Sequence, residues 1–236
     1  MYFTPHYSHF VILAFLGTAA VLGAAVLGAV AALAARRLPL FRGILTIATL
    51  LGTLYLGVML AVSAGSKDQL LAAGQTKYFC EADCHVAYSV TNVTTAKTLG
   101  EGANTVTANG VFYVVSLRSW FDAETTSKSR PADVPLWPNP RMIYAFDDVG
   151  QRHTTSLAGQ KAIIASTVPL TQPLRPGESY ETVLVFDLPA STKSPRLLVQ
   201  DGFPLSPLLI GHENSLGHKK AYFAMTPARG ANSAKM

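Results

Sequence analysis

The sequence predicts two N-terminal transmembrane α-helices followed by one all-β domain. Three observations predict it. Two long apolar runs without a charged side chain occupy the first quarter of the chain. Beyond residue 76 the apolar pattern changes from helical to alternating, and Gly/Pro turn signals then recur between short β-rich runs.

The first run covers residues 10–35 and the second residues 43–64, ILTIATLLGTLYLGVMLAVSA preceded by a glycine. About 20 apolar residues suffice to cross a hydrocarbon core as a helix, so each run is long enough for one span. The first run is not read as a cleaved signal peptide. It lacks a basic leader, exceeds the usual apolar length and is followed at once by a second span. Between them Arg36, Arg37 and Arg42 supply the basic charge nearest the membrane, while residues 1–9 carry no Lys or Arg. Short basic loops stay cytoplasmic, which places the N-terminus and the C-terminal domain on the periplasmic face of an inner membrane. Ala20, Ala24, Gly28 and Ala32 in the first run, and Gly57, Ala61 and Gly65 in the second, form small-residue stripes. Such stripes suit close helix packing, although plain alanine richness produces them too. Neither span contains an ionisable residue, so the helices are expected to anchor and not to conduct.

Residues 66–79 read as a juxtamembrane connector, residues 80–226 as the β-domain and residues 227–236 as a disordered tail. The first expected strand covers residues 85–91, with Val86, Tyr88 and Val90 on one face. Residues 110–121, GVFYVVSLRSWF, form a longer β-rich run. Residues 142–146 lead through the turn Asp147-Asp148-Val149-Gly150 to a return over 151–155. A Pro176-Gly177 turn feeds residues 180–188, where Leu184, Phe186 and Leu188 share a face. Residues 196–200 and 221–225 supply two more strands, and the Pro-rich stretch 130–141 is a loop crossing between sheets. Strands at this spacing, with no convincing amphipathic helix among them, indicate an immunoglobulin-like sandwich.

Residues 110–117 (GVFYVVSL), 146–152 (FDDVGQR), 174–178 (LRPGE) and 183–189 (VLVFDLP) together resemble a bacterial domain family of unknown function. That family is catalogued with telomeric repeat-binding factor 2. The similarity covers about residues 85–200 and implies a secreted or lipid-anchored immunoglobulin-like sandwich. It implies no catalytic residues, and two preceding helices depart from the family's usual single anchor.

Of 19 Lys and Arg, three lie between the spans, leaving 16 against 14 acids in the remainder. So balanced a domain, with no basic run interleaved with aromatics, excludes nucleic acid as a partner. Two cysteines exclude a disulfide-dense scaffold. They stand in the one dense chemical feature, Phe79-Cys80-Glu81-Ala82-Asp83-Cys84-His85. In an extended strand their α-carbons would be about 13 Å apart, beyond disulfide reach, so joint action requires a turn. Three chemistries fit. An oxidising compartment favours a Cys80–Cys84 disulfide. Thiolates with imidazole suit copper or zinc, with Cys80, Cys84 and His85 joined by a distant fourth ligand. His218 is the first candidate for that ligand, ahead of His212 and Met225. Cys-x3-Cys-His also resembles a lengthened c-type haem attachment sequence.

Two helices before a β-domain resemble the layout of cytochrome oxidase subunit II. That protein's copper motif, however, differs in spacing and lies near the end of its domain.

Glu81 and Asp83 are expected to be solvated, His153 to lie at the surface, and residues 211–220 to join two strands. No Ser/His/Asp arrangement, phosphate loop or carboxylate pair stands out. The sequence therefore points to a non-enzymatic, membrane-anchored binding or assembly protein without a cofactor, its partners being the bilayer and a protein of the membrane or periplasm. A copper or c-type haem subunit built on Cys80, Cys84, His85 and His218 is the alternative.

Overall fold

A computed structural model describes residues 2–3, 9–81, 84–131, 133–163 and 167–227. The expected disordered tail and Asp83 lie almost wholly outside the described residues. The chain divides into two compact units, a helical unit of residues 5–67 and 204–219 and a β unit of residues 1–4, 68–203 and 220–236.

In the helical unit, α1 (His9–Ala34) and α2 (Leu38–Ala64) form an antiparallel hairpin, and both are long and apolar enough to cross a membrane. The reversal is sharp. Arg37 N donates to Ala32 O at 2.8 Å and Arg36 N to Leu33 O at 2.9 Å, closing α1 with paired C-terminal cap bonds. Arg36 holds φ at 55°, a left-handed conformation that glycine adopts more cheaply, by about 1 kcal/mol. Pro39 in the first turn of α2 needs no N–H partner there and pre-sets φ for the helix. On α1 the small-residue stripe faces its neighbour: Ala32 is buried, and a Cβ on Gly28 would meet Ile44 at 3.4 Å. Gly57 on α2 has nothing comparable beside it.

Residues 204–219 complete this unit. Tyr55 Oη donates to Leu208 O at 2.7 Å, Lys219 N donates to Ser66 Oγ at 2.8 Å, and Met59 and Ser63 are buried.

The β unit holds two five-stranded sheets. Its strands are β1 (Tyr2–Phe3), β2 (Gln69–Leu71), β3 (Lys77–Cys80), β4 (His85–Leu99), β5 (Val106–Asp122), β6 (Arg141–Phe146), β7 (Arg152–His153), β8 (Ser179–Leu188), β9 (Arg196–Asp201) and β10 (Ala221–Ala224). The first sheet is ordered β1-β3-β4-β5-β8 and the second β2-β10-β9-β6-β7. Residues 123–140 cross from one sheet to the other, as the Pro-rich composition predicts.

Alternating apolar positions from both sheets meet in one core. Val86, Tyr88, Val90, Leu117 and Phe186 come from the first sheet, and Ala145, Leu197, Val199 and Phe223 from the second. Each large side chain buried there contributes about 1.5–3 kcal/mol of transfer free energy.

Four differences from the expectation have physical causes. β4 runs on to Leu99 through the polar stretch 92–98, because it pairs with β5 along nearly its whole length and shows its polar side outward. β2 and the start of β3 lie in the expected connector; Lys77 interrupts the apolar pattern there, yet it is fully buried. β1 pairs in parallel with β3, although residues this near a terminus carry no readable period. α3 (Leu157–Ala162) is too short to show one either. Ser156 Oγ caps it by accepting from Gly159 N at 3.2 Å, and Gly159 lets it approach Val185 and Phe112.

Candidate functional site

Cys80 ends β3 and His85 opens β4, and the two pair across the hairpin. Glu81 N donates to Cys84 O at 2.8 Å, closing the hairpin between β3 and β4. Cys84 is buried, its Sγ 3.8 Å from Glu81 O, and Cys80 is half-buried. The His85 ring meets Tyr78 edge-on at 6.3 Å, and its backbone N–H donates to Thr125 Oγ1 at 3.0 Å.

Among the described residues no group of three or more His, Cys, Asp and Glu side chains is placed to hold a metal ion. His218 Nδ1 lies 2.6 Å from Lys219 O, His212 Nδ1 accepts from Asn214 N, and Met225 is buried in the core.

Glu81, expected to be solvated, is buried and paired. It bonds Arg141, which also lies 3.5 Å from Asp201, and its Oε2 accepts from Asn139 N at 3.1 Å. The guanidinium stacks over Phe79 at 4.4 Å and Tyr88 at 5.4 Å. Burial pushes the Glu81 carboxyl up, against the downward pull of Arg141 and the Asn139 N–H. Burial lowers Arg141 as well, but Tyr88, Glu81 and Asp201 outweigh it and hold the guanidinium above its usual range.

Lys77 adds a second cation nearby. It reaches across the core to Val199 O at 2.8 Å and Ala221 O at 3.1 Å. Those carbonyls continue the register of β9 and β10 beyond their two paired positions, so the ammonium stands where the ladder has ended. These contacts join side chains of the first sheet to the second. Arg141 stands 60 residues from Glu81 and 60 from Asp201, and no local sequence signal brings the three together.

Tyr88 lies fully buried beside this cluster, and burial pushes its hydroxyl up to about 12. Its proton is thus retained in the folded state and lost more readily on unfolding. Stability from this group is complete below the ordinary tyrosine value of about 10 and is lost as pH rises toward 12. An alkaline melting series on Tyr88→Phe is expected to show a shallower decline over that interval than the parent. Superimposable curves would remove Tyr88 as the cause.

At the turn after β6, His153 is not simply at the surface. Its side chain is 16% exposed, with Nε2 3.2 Å from Asp147 Oδ2. Asp147 Oδ1 also accepts from Val149 N and Gln151 N. Its carboxyl is held below the usual range, because these hydrogen bonds outweigh a raising effect of burial. Asp148 accepts from Lys193 N and Ser194 N, each at 2.8 Å. An open groove of about 440 Å³ runs between Asn109–Gly110, His153 and residues 187–190. Its carboxylate, Asp187, is engaged by its own chain, accepting from Asn109 N at 2.8 Å and Gly110 N at 2.9 Å. Asp187 thereby holds the Asn109–Gly110 backbone at the edge of the groove.

No family model matches the sequence and no curated protein matches it. Similar solved structures include the secreted protein MPT63 from Mycobacterium tuberculosis, at 11% identity and a TM-score of 0.40 over 69% of this chain and 99% of that one. A conserved hypothetical protein from Bacillus anthracis is similar at 15% identity and a TM-score of 0.38, over 55% of this chain and 89% of its own. The yjhA protein from Bacillus subtilis shows 13% identity and a TM-score of 0.33, over 58% of this chain and 87% of its own.

Proposed function

We propose that this chain is a membrane-tethered binding or assembly protein whose β unit, read as an immunoglobulin-like sandwich, stands on the periplasmic face. The observation that carries this reading is the pairing of β1 with β3: Tyr2 N donates to Thr76 O at 2.7 Å, with Tyr2 opposite Lys77. Residues before the first apolar helix thereby add a strand to the unit that follows the second. A two-span hairpin delivers both ends to one side of a bilayer, and the arginines of the reversal favour the cytoplasm for the other side.

The placement of charge supports binding over catalysis. Glu81, Arg141, Asp201, Lys77, Asp147 and Asp187 are occupied by partners within the unit. Trp137, 70% exposed on the crossing segment, offers an aromatic anchor for a protein partner. An oxidising space would also favour a bond between Cys80 and Cys84.

The test uses Trp137→Cys and Val149→Cys in a Cys80→Ser, Cys84→Ser background. A membrane-impermeant maleimide is expected to label both positions in intact cells, and a photoreactive maleimide at position 137 to give one adduct of discrete mass. Labelling only after lysis would overturn the placement. Stoichiometric copper or a haem absorption band in the purified parent protein would replace the binding role with the redox one.

A further inference from the structure

The connection between β9 and β10 is turned inside out. Within residues 204–217 the exposed positions are Pro204, Leu205, Pro207, Leu208, Leu216 and Gly217. The polar side chains of Ser206, His212, Glu213 and Ser215 are buried. A loop in water shows the opposite distribution, since polar groups gain from hydration and apolar ones from burial.

The segment also meets part of its own hydrogen-bonding demand. Successive three-residue turns run from Leu208 N to Leu205 O, His212 N to Leu209 O, Ser215 N to His212 O and His218 N to Ser215 O, at 2.9–3.1 Å. Asn214 adds side-chain and backbone bonds to Ser206 Oγ and His212 Nδ1, each at 2.8 Å, and Ser215 Oγ bonds Leu209 O. Non-helical backbone reaches membrane depth only where protein meets its polar groups, as these bonds do for the donors and acceptors they join.

Its depth follows from the helix it rests on. Tyr55, Met59 and Ser63 recur every four residues along one stripe of α2. Tyr55 Oη bonds Leu208 O, and a Cβ on Gly217 would lie 3.9 Å from Ser63. With 27 residues α2 is ~40 Å long, ~10 Å more than a hydrocarbon core. Tyr55 precedes Ala64 by nine residues, or ~13 Å along the axis. Even with all the excess projecting at the Ala64 end, the Tyr55–Leu208 bond falls inside the hydrocarbon boundary. If Arg42 is kept out at the opposite end, it falls ~10 Å inside.

We propose that residues 204–217 form a lipid-inserting loop, seating Leu205 and Leu208 in the bilayer leaflet at the Ala64 end of α2. Lys219, exposed where the chain leaves the loop, stands at the height where a cation meets lipid headgroups. The proposal rests on α2 spanning a membrane.

A depth measurement separates the two. The full-length protein, in the Cys80→Ser, Cys84→Ser background, receives one environment-sensitive fluorophore in turn on Leu205→Cys, Leu208→Cys, Leu50→Cys or Val149→Cys. Each is reconstituted in phosphatidylcholine vesicles with or without brominated acyl chains. Loss of emission at positions 50, 205 and 208, with none at 149, is the expected result. Loss at 50 alone would overturn the lipid-inserting loop and leave the span standing. No loss at 50 would overturn the spanning helix, and the loop proposal with it.

Discussion

Arg141→Met is expected to destabilise the protein by about 3–5 kcal/mol, the range for removing one partner from a buried ion pair. Methionine fills much of the same volume, so the deficit is electrostatic. Glu81 and Asp201, both buried, lose the guanidinium that lies between them.

The deficit has a pH signature. Burial already raises the Glu81 carboxyl, and removing Arg141 takes away the first of the effects that lower it. In the variant the folded state therefore binds a proton that the unfolded chain releases near its ordinary value of about 4.3. A group whose folded pKa is raised loses its contribution as pH increases, so the deficit should be smaller near about pH 4 than near about pH 8. Adding Glu81→Gln to Arg141→Met should recover part of the loss at neutral pH. Urea unfolding at the two pH values provides the measurement. A deficit independent of pH and unaffected by Glu81→Gln would refute the charge explanation and leave only lost packing over Phe79 and Tyr88.

Gly110→Ala is expected to be at least as damaging, costing more than about 4 kcal/mol or preventing folding. Gly110 lies in β5, where a Cβ would come within 1.9 Å of Leu188 O and 2.8 Å of its carbonyl carbon. The obstruction is backbone, which has no rotamer to change. The site is also fastened from three directions. Asp187 accepts the amides of Asn109 and Gly110, Lys97 Nζ donates to Gly110 O at 2.8 Å, and Val111 pairs with Leu188. To admit a methyl group the end of the β5–β8 ladder must separate, which exposes the Asp187 clamp. Gly57→Ala, with open space around it, serves as the control and should leave stability within about 0.5 kcal/mol. Amide exchange over residues 109–113 and 184–188 should accelerate in any Gly110→Ala protein that folds. Parental exchange rates there would contradict the close approach.

The two spans were legible from composition because a charge-free run of that length has few other outcomes. The strands 110–121 and 180–188 were legible for a similar reason: one buried face imposes a two-residue period, while 142–146 and 196–200 were legible as short β-rich runs bounded by turns. The missed strands fail that condition. Glu81 reads as a solvent group because isolated charges are usually hydrated, and here it is buried, as is Lys77. What compensates them comes from far along the chain: Arg141 and Asn139 for Glu81, the carbonyls of Val199 and Ala221 for Lys77. The cysteine hairpin was legible as a turn, since only a turn brings thiols four residues apart together. Convergence of His218 on that hairpin was a guess about tertiary placement, and among the described residues no such ligand group forms.

Local chemistry alone determined the two apolar helices, the near-neutral β region after them, the tight basic reversal and most of the turns. Each depends on residues within about one turn or one hairpin of one another. Tertiary structure alone decided three things: that buried charges tie the two sheets together, that Tyr2 and Phe3 add a strand beside β3, and that Ser206, His212, Glu213 and Ser215 are buried in the segment that packs along α2. The physical reason is common to all three. Whether a polar side chain faces water or protein depends on which distant donors and acceptors the fold brings to it, and a linear sequence carries no distance between them.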